Sequence, residues 1–375
     1  MTLTQTLTQT PSQEVTGTAG QAAARPPRER APAVAAALLL PLADRVPVMA
    51  APCRMHSSVD RIETALAEWS WEMGLETPAR AGFERMAGRA FAGFGMDSAL
   101  LFAKWLTWLF HFDDEWDEKP AGHAAEIVGA AFARLGRLAR VTPPQPREAV
   151  PAREGEAVPA REREAVAAPE EGTAPVEAAF QDLWRITAGR MSARWRERFA
   201  QGLREQGAAC RAEADNRRTG RVPSAGEYPA LRRGTAGPYL FDLVEPCLGV
   251  EVPARLRESP TWRTLVESCN DVTAWCNDVA SYPKERANGD VHNYVTVAAA
   301  AFGLPDSGAV AWVNDRIAER AQDLRAAAMR LPGLFDRFGL SPAQARDVSK
   351  VACAFLSAPR AQLEWLLESS RYGVT

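Results

Sequence analysis

The chain has 375 residues, 46% of them hydrophobic, with 44 basic and 47 acidic side chains and a formal net charge of -3. That is ample apolar material for a core, and a pI near 6.0 gives no basic field for nucleic acid or an anionic membrane surface. The cysteines (Cys53, Cys210, Cys247, Cys269, Cys276 and Cys353) form no CxxC pair and no Cys/His cluster at zinc spacing, so they read as reduced thiols of a cytoplasmic protein.

Residues 1–35 are dominated by Thr, Gln, Ala, Pro and Arg, a composition expected to be disordered. The apolar run APAVAAALLLPLA from Ala31 is too short to span a bilayer, contains prolines and begins too deep in the chain for a secretory signal. Residues 36–375 read as one all-α domain. The segments SALLFAKWLTWLFHF from Ser98, AAFQDLWRITAGRMSARWRERFAQGL from Ala178, TWRTLVESCNDVTAWCNDVASY from Thr261 and ARDVSKVACAFLSAPRAQLEWLLESS from Ala345 carry helical apolar periodicity. Between them, at about 142–175, REAVPARE, GEAVPARE and REAVAAPE repeat. Regular prolines oppose a continuous helix there, and so few short copies make no solenoid, so the stretch reads as a solvated expansion of a loop.

Two polar clusters sit where stability alone would not put them. FHFDDEWDE places Asp113, Asp114, Glu115, Asp117 and Glu118 after a long apolar run. Carboxylates oppose the partial negative charge of a helix C-terminus, and Asp113 and Asp117 repel at i, i+4. A solvated acidic helix end is the plain alternative; a bound cation would remove both penalties. NDVASYPKE places Asn277, Ser281 and Glu285 at i, i+4, i+8, each about 40° around and roughly 6 Å along from the last, in one stripe of oxygens. Asn and Ser are poor mid-helix choices, although a polar outer face would also use them. Oxygen-only clusters beside apolar helix suit a hard cation such as Mg²⁺, which commonly binds through carboxylates together with substrate phosphate oxygens. A phosphorylated substrate follows, and Lys284, Arg371 beside Tyr372, and Arg232 and Arg233 in LRRGTAGPYLF supply cations for it.

The combination of DDEWDE, NDVASYPKE and a terminal RY resembles the bacterial class I terpene synthases. LPLADRVPVM and EWSWEMGL are similar to that family's N-terminal segment, and EADNRRTGRVPSAGEYPALRRGTAGPYLFDLVE to its central region, so the likeness runs from about Leu40 to Tyr372 apart from the repeat. The resemblance implies a single helical bundle of the isoprenoid-synthase type enclosing an apolar pocket. It implies Asp113 as a Mg²⁺ ligand with Asp114, Asp117 and Glu118 as secondary ligands or orienting partners, and Asn277, Ser281 and Glu285 as a triad holding another Mg²⁺, with three ions in the substrate complex. Arg232 resembles the diphosphate sensor, Thr235 the linker and Ala236 the backbone effector, while Lys284, Arg371 and Tyr372 would contact the diphosphate. Arg233 adjoins Arg232, so a sensor one place on stays open, as does an acidic motif ending at Asp117 or at Glu118.

Ionising an allylic diphosphate separates a carbocation from a highly charged anion, which needs electrostatic stabilisation and a dry pocket but no nucleophile. Phe102, Trp105, Trp108, Phe110, Phe112, Trp275 and Trp365 lie on or near the motif-bearing helices. By helical geometry Leu106, Leu109 and Phe110 share the face of Asp113, whereas Trp108 points away; Trp365 is a further pocket candidate. The expectation is a cyclase of farnesyl diphosphate giving a sesquiterpene, with geranylgeranyl diphosphate the main alternative and a non-catalytic helical scaffold the remaining one. A chain-elongating prenyltransferase would carry a second aspartate-rich motif in place of the Asn/Ser/Glu stripe. No nucleic-acid partner and no stable membrane association are expected, and the resemblance makes a homodimer plausible.

Overall fold

In the computed structural model, residues 36–50, 52–75, 81–117, 125–140, 174–369 and 371 are described; the side chains of Ala36 and of 115–117 are not. The expected disorder of residues 1–35 and all but the end of the repeat at 142–175 lie outside the described residues. Every regular element among those described is helical: a 3₁₀ turn (Ala36–Leu39), α1 (Leu40–Arg45), α2 (Pro47–Ala50), α3 (Val59–Glu72), α4 (Phe83–Ala90), α5 (Met96–Asp117), α6 (Ala125–Leu138), α7 (Pro175–Ala188), α8 (Ala193–Thr219), α9 (Tyr228–Thr235), α10 (Tyr239–Asp242), α11 (Val244–Leu248), α12 (Ala254–Arg257), α13 (Pro260–Ala287), α14 (Tyr294–Phe302), α15 (Asp306–Arg337) and α16 (Pro342–Glu368).

The long helices begin at strong local signals. Ser192, Ser259 and Ser341 each accept the N3 backbone N–H of α8, α13 and α16, and Ser341 with Gln344 completes a reciprocal capping box. The apolar run from Ala178, read as one segment, is in fact two helices. It breaks after Ala188, because Gly189 and the capping Ser192 offer the backbone an end and a new start.

α13 is the central element, packing along α15 and against α16, α14 and α9; α8 pairs with α6, and α4 with α16. Its buried apolar face includes Trp262, Leu265, Val272, Trp275 and Val279. The other face of α13, with α4, α5, α8, α9 and α16, surrounds a cavity of about 1420 Å³. Behind it, Trp105, Trp108, Phe180 and Phe199 pack edge to face or tilted and make a rigid wall. Buried ion pairs tie the outer elements together, Arg198 reaching Asp242 at 3.1 Å and Glu245 at 2.8 Å. The cysteines are free thiols. Among the described residues no single helix is long and apolar enough to cross a membrane, although the pair α14 and α15, bent by 114°, passes that test together.

Candidate active site

The oxygen stripe of α13 faces the cavity: Asn277, Ser281 and Glu285 all line it, with Lys284 beside them. Ser281 Oγ donates to the Asn277 carbonyl at 2.8 Å, which fixes its rotamer along the helix. Asn293 is wholly buried and works in three directions. Its Oδ1 accepts from the Val295 N–H and caps α14, while its Nδ2 donates to the Asp278 carbonyl at 2.7 Å and to Glu285 Oε2 at 2.8 Å. One side chain therefore sets both the start of α14 and the orientation of Glu285.

Arg232, near the end of α9, reaches across to α13. Its Nε donates to Asp278 Oδ1 at 2.8 Å and its Nη2 to Asn277 Oδ1 at 3.0 Å. Asp278 also accepts from Tyr228 Oη at 2.8 Å and from the Tyr294 N–H at 3.3 Å. Burial lifts the Asp278 carboxyl above the ordinary carboxylate range, with Arg232 and the hydrogen bonds pulling the other way. Burial also works against the Arg232 charge, but Asp278 beside it outweighs this and holds the guanidinium firmly protonated. Arg233 points elsewhere, with Nη1 donating to both oxygens of Asp271 at 2.9 Å, and Arg320 closes the same carboxylate at 2.7 Å. Of the two adjacent arginines, it is Arg232 that lines the cavity, together with Thr235 and Ala236.

At the end of α5, Asp113 and Asp114 line the cavity, and Arg371 donates to Asp114 through two bonds of 2.8 and 2.6 Å. The Arg371 guanidinium lies 4.7 Å from the Phe110 ring centroid, and Phe110 in turn stacks on Phe83 at 4.9 Å and meets Trp365 at 5.5 Å. Leu106, Leu109, Phe110 and Trp365 form part of the wall, as do Phe102 and Phe112. Trp108 instead donates to the Val176 carbonyl, and Trp105 to Thr187 Oγ1. Glu118 and Tyr372, and the side chain of Asp117, lie outside the described residues.

Sequence reasoning missed Tyr228, Asp278 and Asn293, which hold the stripe in place, and Phe91, Phe132, Phe241 and Phe355 in the wall. Only Asp278 carried a local signal, an acid beside Asn277 on a helix otherwise turned to the core.

Among the described residues no three His, Cys, Asp or Glu side chains gather tightly enough to hold a metal by themselves. The α13 stripe instead offers an amide oxygen, a hydroxyl and one carboxylate. Burial, and then the charge of Asp278, push the Glu285 carboxyl up to about 7. A divalent cation would relieve both penalties, and an all-oxygen donor set fits a hard one.

The same fold occurs in germacradien-4-ol synthase from Streptomyces citricolor, at a TM-score of 0.68 and 24% identity over 85% of this chain and 97% of that one. A variant of cucumene synthase gives a TM-score of 0.71 over 86% of this chain and 98% of that one, at 24% identity. At those identities the likeness defines the class of bundle, that of the class I terpene synthases. In sequence, residues 104–323 match the family model described as terpene synthase family 2, C-terminal metal binding. The (+)-T-muurolol synthase of Roseiflexus castenholzii, named as cyclising (2E,6E)-farnesyl diphosphate, is 30% identical over 64% of this chain and 68% of its own length. Pristinol synthase of Streptomyces pristinaespiralis is 28% identical over 86% of this chain and 83% of its own. The chain belongs to the bacterial class I terpene synthase family, whose matching region is a metal-binding one.

Proposed function

We propose that the protein is a Mg²⁺-dependent cyclase that ionises farnesyl diphosphate and closes the resulting cation to a sesquiterpene, releasing diphosphate. The observation that carries this reading is the meeting of the Asn277, Ser281 and Glu285 stripe, Asp113 with Asp114, and Arg232 on one cavity whose remaining wall is apolar and aromatic. Names of relatives that specify farnesyl diphosphate favour that substrate. The cavity, about 1420 Å³, has room for a longer chain as well, so geranylgeranyl diphosphate stands as the second reading.

In this reading Asn277, Ser281 and Glu285 would hold one Mg²⁺ and Asp113, with Asp114, Asp117 and Glu118 in support, would bind another, within a set of three in the substrate complex. Bound there, Mg²⁺ supplies Lewis-acid stabilisation of the leaving diphosphate. Arg232, Lys284, Arg371 and Tyr372 bind and orient the diphosphate, so that charge is stabilised where it develops. Arg371 must then exchange or share its present partner, Asp114. Thr235 couples Arg232 to Ala236 through short contacts at the end of α9, its Oγ1 donating to the Arg232 carbonyl at 3.3 Å. Leu106, Leu109, Phe110 and Trp365 exclude bulk water and present apolar and aromatic surface to the cation.

Incubating the purified protein with Mg²⁺ and, separately, geranyl, farnesyl and geranylgeranyl diphosphates, followed by gas chromatography with mass spectrometry, tests both readings. A cyclic C15 product is expected; a product from geranylgeranyl diphosphate alone selects the second reading, and no product from any of the three rejects both.

A further inference from the structure

Arg371 reaches the cavity from just beyond α16, and the end of that helix carries an arrangement its own chemistry disfavours. Glu364 and Glu368 stand one turn apart at the carbonyl end of α16, whose last turn contains no basic residue. Carboxylates there oppose the helix dipole, and two of them at i, i+4 repel. Much of the compensating charge comes from α4. The Arg89 side chain, 5% exposed, sets its Nε 2.7 Å from Glu364 Oε2 and donates through Nη2 to Glu368 Oε1. One guanidinium therefore bridges two successive turns of α16.

Stability alone does not call for Arg89 at this place. Glu364 also has Arg360 at 2.7 Å and Glu368 also has Arg85 at 2.6 Å, so each carboxylate keeps a partner without it. A buried ion pair gains little over well-packed apolar side chains of similar volume. What Arg89 adds is placement. Its bridge holds the end of α16 against the entry to α4, where the Ala81 carbonyl accepts from Trp365 Nε1 at 2.7 Å and from Ser369 Oγ at 3.0 Å. Ser369 Oγ in turn accepts the Arg371 N–H at 3.3 Å, and the Arg371 guanidinium reaches Asp114 and the Phe110 ring. Arg89 is not itself part of the cavity wall, which its neighbours Ala90 and Phe91 join.

Resting on the cyclase reading above, we infer that Arg89 is a positioning residue for the reaction: by bridging Glu364 and Glu368 it fixes the end of α16, and with it the direction from which Arg371 meets the diphosphate. Each link is a short contact, from guanidinium to carboxylate, from the helix end to Ala81, and from Ser369 to the Arg371 backbone. Arg371 has to exchange or share Asp114 for the diphosphate, and a backbone held by α4 lets the side chain re-aim while its base stays in place. A donor fixed in advance stabilises the developing charge without reorganising during ionisation. Without Arg89 the last turn keeps the hydrogen bonds to Ala81 and the Arg85 pair, which is exposed at 45% and so holds weakly. Arg371 is then presented to the site less often, and diphosphate binding and ionisation both weaken.

The test is a double-mutant cycle on the full-length protein with Mg²⁺, using Arg89→Met, Arg371→Ala and the two together. Two quantities are read: kcat with whichever prenyl diphosphate the protein turns over, and the affinity for inorganic diphosphate by titration calorimetry. Arg89→Met is expected to lower each by about tenfold, and by less than about twofold once Arg371 is already alanine. A merely structural role would lower both by the same factor in either background. Glu368→Gln is read in the same cycle, so a folding failure of Arg89→Met, seen by circular dichroism, leaves a decisive variant. Losses that multiply in the double variant, or wild-type kcat and diphosphate affinity in the folded single variants, overturn the inference while leaving cyclisation intact. Absence of turnover by folded wild-type protein overturns the cyclase reading itself, and the inference with it.

Discussion

Asp278 is the residue on which the site's geometry depends most. It is 2% exposed and joins α9 to α13 through Arg232 and Tyr228, and α14 to α13 through the Tyr294 N–H. Asp278→Ala leaves the largely buried Arg232 guanidinium without its counter-charge and Tyr228 without an acceptor. Breaking a buried pair by removing one partner costs about 3–5 kcal/mol. Asp278→Asn keeps an acceptor for Arg232 and lets the Tyr228 hydroxyl accept from the new NH₂, so it costs less, about 1–3 kcal/mol. Urea denaturation at neutral pH, followed by tryptophan fluorescence, measures both. Because Arg232 also holds Asn277 at 3.0 Å, releasing it misplaces two groups of the proposed site at once, and kcat falls by about 100-fold. An alanine variant that loses under about 1 kcal/mol, or an asparagine variant as unstable as the alanine one, would refute the reasoning.

Burial, then the charges of Arg217, Arg232 and Arg221, hold His292 down at about 4, against an ordinary value of 6.5, although Asp290 pulls it the other way. Its stabilising contribution is complete above pH 6.5 and is lost as pH falls toward 4, by about 2 kcal/mol at pH 5; the stability difference between wild type and His292→Asn should therefore move by that amount, against the wild type, from pH 7 to 5. A Cβ at Gly234 would lie 2.6 Å from the Ala209 Cβ of α8, and neither atom can rotate away. Gly234→Ala therefore forces α9 off α8 at a cost of about 1–3 kcal/mol with loss of turnover, and adding Ala209→Gly restores both. The repeat at about 142–175 is proposed to be dispensable, so deleting Arg147 to Glu171 leaves cyclisation intact; loss of turnover in a folded deletion variant contradicts this.

The fold class was legible because the helical signals agree with one another: apolar periodicity in α5, α13 and α16, with a serine and a proline at the start of the last two. One break point was less legible. The segment from Ala178 keeps its apolar period across the Gly189 to Ser192 turn, so periodicity alone ran α7 into α8. The α13 helix continues through Pro283 to Ala287, as the i, i+4, i+8 spacing through Glu285 requires. Within the site, the stripe and the acidic run could be found because their residue types conflict with their local positions. Asn293 and Tyr228 left no such signal. They lie outside α13 and acquire meaning only when tertiary packing brings them to it. Aromatic wall residues divide the same way: Trp108 and Phe110 stand two apart on one helix, and helical geometry alone turns the first into the core and the second into the cavity.

The central claim is that one cavity, with oxygen ligands from α5 and α13, drives ionisation of a prenyl diphosphate through a divalent cation. Diphosphate release from farnesyl and geranylgeranyl diphosphates, measured with Mg²⁺, with excess chelator, and with Asn277→Ala and Asp113→Ala, tests it most directly. Release that requires Mg²⁺, stops with chelator and falls by at least about 100-fold in both variants is the predicted result. Release that persists in chelator, or at wild-type rate in either folded variant, would contradict the account.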